Sequence, residues 1–487
     1  MDFAFDNSFH DAMPGFYAPA EAAKPSAPKL LIFNHALAER LGIDAAGVSD
    51  AQLARIFSGE EMPGGANPLA LAYAGHQFGH FSPQLGDGRA LLLGEIVAPD
   101  GARFDVQLKG SGPTPFSRNG DGKAAIGPVL REFLVSEAMA AMGIATTRAL
   151  AAVATGDRVQ REQAHPGAVL TRVASSHIRV GTFQFFAAHF GADHVAQLSD
   201  YAVRRHFPEL AEAANPHLAL LDRVIGLQCD LVASWLGVGF IHGVMNTDNV
   251  AISGETIDYG PCAFMDRFAV NTVFSSIDAN GRYSYGRQPQ ILHWNMARFA
   301  EALLPAIHAV EPGDVEEAKA LANAIPERFR AAWFARMRAK LGLTQPGEGD
   351  AELIDGLFDQ LETHQVDFTL FFRALAMLLR GEGDMLQALL PAPDAMAPWI
   401  AEWWALIERE PAGPLECADA MDRVNPLYIP RNHLVEAALA DAEAGDMTAW
   451  RELLDVVRQP CVPRSEWEAF AGPAPEGFGP YTTFCGT

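Results

Sequence analysis

The spacing of apolar positions changes along the chain, and the changes divide it. Residues 104–109, Phe-Asp-Val-Gln-Leu-Lys, alternate apolar and polar with period two, which sends successive side chains to opposite faces of a strand. Ala90–Val97 is a more continuous apolar run, and Pro99-Asp100-Gly101 reads as a turn between the two. Residues 149–154 and 168–174 predict further strands. Lys29–Phe33 predicts a short one, followed by Asn34 as the cap of a helix over 35–41. Residues 1–27, rich in Pro, Ala and aromatics, read as an arm on the surface.

Helical spacing takes over later. Pro128 starts a predicted helix that continues over 129–142 and stops at Gly143. Asn215 and Pro216 are the cap and first position of a long apolar helix reaching Leu236. A small hairpin is expected over 250–258, with its turn at Ser253-Gly254-Glu255. Residues 294–456 are dominated by helical patterns, Phe368–Leu379 and 434–444 among them. Residues 471–480 are rich in Pro and Gly, and 481–487 read as a tail.

The expected fold class is α+β: a bilobal, protein-kinase-like plan with a small β-containing N-lobe, a large and mainly helical C-lobe, and a C-terminal extension. The predicted divisions are 1–65 for an N-terminal arm and extension, 66–185 for the N-lobe, 186–300 for the C-lobe core, and 301–487 for the helical extension and tail.

The chain has 487 residues, 49% hydrophobic and 20% charged, enough apolar content for a large core. A formal net charge of −24 argues against nucleic acid and anionic membranes as partners. The same charge means that any phosphate-bearing ligand needs a local group of cations. Five cysteines without a C-x-x-C pair point to a reducing compartment and exclude a zinc ribbon. The acidic N-terminus matches no signal or transit peptide, and no apolar run suits a membrane span, so a cytoplasmic location is expected.

Three segments carry candidate chemistry. Gln84-Leu85-Gly86-Asp87-Gly88-Arg89 stands just before a strand; its glycines allow close approach of backbone N–H groups to phosphates, and Arg89 adds charge. Lys109 ends the alternating strand, and Glu132 lies in the next helix. A strand Lys held by a helix Glu is how kinases aim an ammonium at phosphates. The third segment, His242-Gly243-Val244-Met245-Asn246-Thr247-Asp248-Asn249, is followed by Asp258-Tyr259-Gly260. The order matches H-R-D-x-x-x-x-N and D-F-G of kinases, with Asn249 and Asp258 as oxygen donors for Mg²⁺. Val244 stands where a kinase has its catalytic Asp, and valine accepts no proton. Asp248 is the nearest substitute. Arg172 and Arg179 are further candidates for phosphate oxygens. The Asp121-Gly122 turn is a candidate contact for the base or ribose. His76 and His80 have the spacing of a helical metal pair, but glycines on both sides argue against a helix there. The run 359–367 reads as a solvated helix end.

At these residues the chain resembles the selenoprotein O family of kinase-like protein adenylyltransferases. The resemblance covers nearly the whole chain. It includes Phe5-Asp6-Asn7, the run from Tyr73 to Gly79, Gly86 to Arg89, Gln107 to Gly112, His242 to Asn249, Asp258 to Pro261, and Asn425-Pro426 with Arg431-Asn432-His433. It implies ATP bound in a flipped orientation and AMP moved onto Ser, Thr or Tyr hydroxyls of protein substrates. It implies Lys109, Arg89, Arg172 and Arg179 on the phosphates, Glu132 positioning Lys109, and Gly86, Gly88, Asp121 and Gly122 lining the nucleotide. It further implies Asn249 and Asp258 on Mg²⁺ or Mn²⁺, Asp248 as proton acceptor, and UMP transfer from UTP with Mn²⁺ in some members. Cys262 and Cys485 match positions where some members resemble a redox switch; two reduced thiols are the plainer reading. A monomer is expected. Two rivals stand beside AMP transfer: a kinase moving the γ-phosphate, and an ATP-binding pseudokinase scaffold.

Overall fold

The computed structural model describes residues 3–392 and 394–484. Its centre is a nine-stranded antiparallel sheet. The main order is Tyr17–Pro19, Leu69–Leu71, Ala90–Val97, Arg103–Lys109, Ala164–Ala174, Arg148–Gln160 and Lys29–Phe33. Phe5–Asp6 adds to Ala90–Val97, and Ala124–Ala125 adds to Ala164–Ala174. The chain is thus a mixed α and β protein, with helices prevailing after Gln288. No helix among the described residues is long and apolar enough to cross a membrane.

The period-two segment forms the strand Arg103–Lys109, and its register places the site. Lys109 lies opposite Leu170 and Gln107 opposite Arg172 on the neighbouring strand. Gln107 and Lys109, two apart, share one face. Behind that face lies the helix Ile126–Ala141, which carries Glu132. It begins two residues before Pro128, and its cap position, Ala125, is the end of a strand with no side chain to cap it. Asn34 does cap the helix His35–Arg40, accepting from the Leu37 N–H at 3.2 Å. Asn215 caps Pro216–Gly237 in the same way at 3.3 Å.

Three expectations are corrected by the fold, two of them around the sheet and the Asp258 loop. The segment read as a surface arm buries Phe3, Phe9, Met13 and Phe16. It is drawn inward because the Glu95 carboxylate, on the central strand, accepts the Phe9 N–H at 2.7 Å and the Ser8 N–H at 3.2 Å. The hairpin expected over 250–258 does not form. Ala251 bridges Arg179 and Thr256 bridges Thr146, so each arm finds a partner elsewhere in the chain. The strand pair of this region is Phe240–Ile241 with Ala263–Phe264, which brackets the catalytic-loop candidates from both sides.

The C-terminal helices brace the same region. Arg431, fully buried, donates to Asp266 at 2.6 Å and to Asp367 at 2.8 Å. Asn432 donates to the Phe264 carbonyl at 2.8 Å. Asp367 is therefore no solvated end; it caps Phe368–Leu379 and neutralises a buried guanidinium. Trp450 meets Phe133 edge to face at 5.6 Å, fixing the helix of Glu132 from behind. A buried tryptophan of this kind contributes about 3–5 kcal/mol to stability.

Candidate active site

One cleft of about 1130 Å³ gathers most of the candidate residues. Gly88, Arg89, Lys109, Glu132, Arg172, Arg179, Asp248, Asn249 and Asp258 all line it, as does Val244. Its volume is sufficient for a nucleotide.

The floor is a knot of charge. Lys109 Nζ donates to Glu132 Oε2 at 2.6 Å and to Asp258 Oδ1 at 2.7 Å. Arg172 Nη1 reaches the same two carboxylates, at 3.1 Å to Glu132 Oε1 and 2.6 Å to Asp258 Oδ1. Gln107 Oε1 accepts from Arg172 Nη2 at 2.6 Å and from Nε at 3.2 Å, which sets the plane of the guanidinium. Arg179 comes from the cap position of the helix Val180–His189. Its Nη1 donates both to Asp258 Oδ2 and, at 2.5 Å, to the Asp248 carbonyl. Tyr73 supports it from the other side, ring centroid 4.8 Å from the guanidinium. Arg172 and Arg179, seven apart in sequence, converge because the strand ends between them and a helix begins.

Three cations face two carboxylates here, leaving one positive charge in excess. Burial alone would raise the Asp258 carboxyl; Arg179, Lys109 and Arg172 outweigh it and hold that group well below the usual carboxylate range. Asp258 sits at φ 63°, a left-handed backbone that turns its side chain back into the knot. The preceding carbonyl, of Ile257, is held by His242 Nε2 at 2.9 Å.

Asp248 has an opposite environment. It is 7% exposed, and burial pushes its carboxyl up to about 6. Its Oδ2 accepts from Gln77 at 3.3 Å, while its Oδ1 is buried and without a hydrogen-bond partner. The approach of Gln77 depends on Gly75. A Cβ on Gly75 would stand 2.2 Å from Asp248 Oδ1, so the chain can pass there only as glycine. Val244 is 6% exposed and has no group that takes a proton.

Asn249 Nδ2 donates to the Val244 carbonyl at 2.9 Å, so the nitrogen end of the amide is committed to the loop. An amide oxygen and a carboxylate are hard oxygen donors. They fit Mg²⁺ or Mn²⁺ with phosphate oxygens and water filling the remaining positions. Among the described residues no group of three or more His, Cys, Asp or Glu side chains could hold a metal ion.

Other predicted residues lie apart from the cleft wall. Gly86 adopts φ 91° and packs on Phe116, whose ring would meet a Cβ at 2.4 Å. Asp121 pairs with Arg161 at 2.9 Å, and it is Arg161 that lines the cleft. Gly122 closes its loop against the Gly112 carbonyl. Cys262 is buried just past the Asp258 loop, and Cys485 lies outside the described residues. The tail does reach this place, with Thr483 Oγ1 donating to the Pro261 carbonyl at 2.8 Å.

The sequence reading missed Tyr73, Gln77, Asp87, Gln107 and Arg131, all at or beside the cleft. Gln107 was recoverable from its period-two relation to Lys109. Asp87, pushed up to about 6 by burial, stands between the two glycines singled out. Gln77 lies in the run from Tyr73 to Gly79, but its contact could not be read there, because its partner is 171 residues away.

Comparison with known proteins places the chain among nucleotidyl-transferring enzymes. The family described as protein adenylyltransferase SelO matches residues 1–458, and the chain belongs to that family. It is 80% identical over 487 residues, the whole of both chains, to the protein nucleotidyltransferase YdiU of Sphingopyxis alaskensis. Identity to the protein of the same name from Cereibacter sphaeroides is 54% over 489 residues, again across both chains. For that of Chromobacterium violaceum it is 52% over 478 residues, 98% of this chain and all of the relative.

Proposed function

We propose that the chain transfers AMP from ATP to Ser, Thr or Tyr hydroxyls of other proteins, on a kinase-like two-lobe scaffold with the cleft between sheet and helices. One observation carries this reading: a buried, proton-avid carboxylate, Asp248, shares a cleft with the Lys109–Glu132–Asp258 knot while Val244 occupies the ordinary base position. Support for protein acceptors comes from the names of the relatives, each a protein nucleotidyltransferase.

In this reading Lys109, Arg172, Arg179 and Arg89 hold the phosphates, and Glu132 keeps Lys109 in line. Gly88 permits close approach of the chain to the nucleotide, with Gly86, Asp121 and Gly122 shaping the loops behind. Asn249 and Asp258 would hold Mg²⁺ or Mn²⁺, which when bound neutralises phosphate charge. ATP lies flipped relative to a kinase, with its α-phosphorus toward Asp248. The acceptor oxygen bonds to that phosphorus, the bond to the bridging oxygen of the β-phosphate breaks, and pyrophosphate leaves. The hydroxyl proton passes to Asp248. A base with its pKa near 6 is ionised at neutral pH yet still basic enough to accept that proton. The Arg groups stabilise the negative charge that develops on the leaving pyrophosphate. UTP with Mn²⁺ is a second donor to be tested. Formation of a Cys262–Cys485 disulfide would staple the tail beside the Asp258 loop.

Purified chain is incubated with ATP labelled at the α- or the γ-phosphate, and acid-stable label on protein is followed. Label from the α position alone is expected. Label from γ alone would establish a kinase, and binding without label a scaffold.

A further inference from the structure

The hairpin that carries Gln77 reaches beyond the nucleotide machinery. Its arms, Gly75–Gln77 and His80–Ser82, pair antiparallel. It is fastened to the loop before Asn249 at three points. His76 N–H donates to Thr247 Oγ1 at 2.8 Å, Phe78 N–H to Asn246 Oδ1 at 3.1 Å, and Gln77 Nε2 to Asp248 Oδ2 at 3.3 Å. A hairpin tied this way keeps its tip at a fixed place relative to the proton acceptor.

The surface beside that tip is cationic and aromatic. The Arg282 guanidinium lies against Gly79 at the tip and over Trp294, 5.0 Å from the ring centroid. Arg298 covers the same ring at 5.3 Å. Phe81, 42% exposed, and Ile277, 51% exposed, add apolar area, and Ile277 also lines the cleft. The nearby carboxylates are already engaged. Glu301 pairs with Arg298 at 2.5 Å, and Asp278 accepts the backbone N–H groups of Arg282 and Tyr283 at 2.8 and 2.7 Å. The Arg282 side chain makes no ion pair among the described residues, and its Nε is buried without a hydrogen-bond partner. Its remaining contacts are with aromatic rings, Tyr283 at 5.7 Å and Trp294, so no carboxylate among the described residues offsets its charge. Its counter-charge is one a visitor can bring.

We infer that this face receives the acceptor protein, and that the segment bearing the hydroxyl is acidic, with a carboxylate near the hydroxyl pairing with Arg282 and apolar neighbours resting on Phe81 and Ile277. The inference rests on the AMP-transfer reading and names the acceptor class for the same site.

Two peptides with one tyrosine each, flanked by Glu or by Lys, are offered with α-labelled ATP to the parent chain, Arg282→Gln and Arg282→Glu. The thermal shift on ATP addition is recorded for all three and should be the same. The parent is expected to label the Glu-flanked peptide about tenfold faster. Arg282→Gln should lose that preference, and Arg282→Glu should reverse it. An unchanged ratio in Arg282→Gln, with the ATP shift intact, would overturn the docking inference and leave AMP transfer standing. If the parent labels neither peptide nor any protein, the transfer reading falls and the docking inference with it.

Discussion

Two aspartates ten residues apart, on the two sides of the cleft, differ in what surrounds them. Asp258 meets Lys109, Arg172 and Arg179, and its charge is locked on. Asp248 meets one neutral amide and a glycine, and its charge is disfavoured by burial. A carboxylate held firmly anionic suits ligation and phosphate positioning; one with a raised pKa suits proton transfer. In the proposed mechanism the same side chain would take two roles, set by neighbours and not by its own chemistry.

The largest expected effect comes from the Asp258 side. Asp258→Ala should lower AMP transfer about a thousandfold, since the phosphates lose their cation and the knot loses its centre. It should also cost about 3 kcal/mol in stability, because three cations then face Glu132 alone. Labelling assays and denaturant titration measure the two effects separately. Near-normal turnover would break the comparison outright.

Gly75→Ala tests the other side without touching a titrating group. Its added methyl would displace Asp248, so kcat/KM should fall about a hundredfold while ATP binding holds. Steady-state kinetics beside ATP titration would show the split; a matching loss of ATP affinity would mean that the two sides are not distinct.

The smallest effect, about tenfold per pH unit, sharpens the assignment of the base. Transfer should decline as pH drops below about 6 in the parent, and Asp248→Asn should flatten that limb. The stability effect has a definite sign. The folded-state pKa lies above the ordinary value, so the folded protein binds the proton more tightly than the unfolded chain. The contribution of Asp248 to stability is therefore largest at low pH and declines as pH rises from about 4 to about 6. Asp248→Asn should accordingly be more stable than the parent at neutral pH, by on the order of 2 kcal/mol. Paired melts at pH 4 and 7 check this, since Asp87 titrates in both proteins alike.

The sequence by itself determined the strands around Lys109, the capped helices at Asn34 and Asn215, and the candidate residues of which most line the cleft. These follow from local rules: side-chain period, capping chemistry, and motif order within a few residues. Tertiary structure decided the rest. That three cations close on Asp258, that residues 250–258 pair with distant segments instead of each other, and that Gly75 makes room for Asp248 are contacts across 72 to 173 residues of chain. Burial and the resulting charge states depend on what packs around a group, and no stretch of local sequence specifies its distant neighbours.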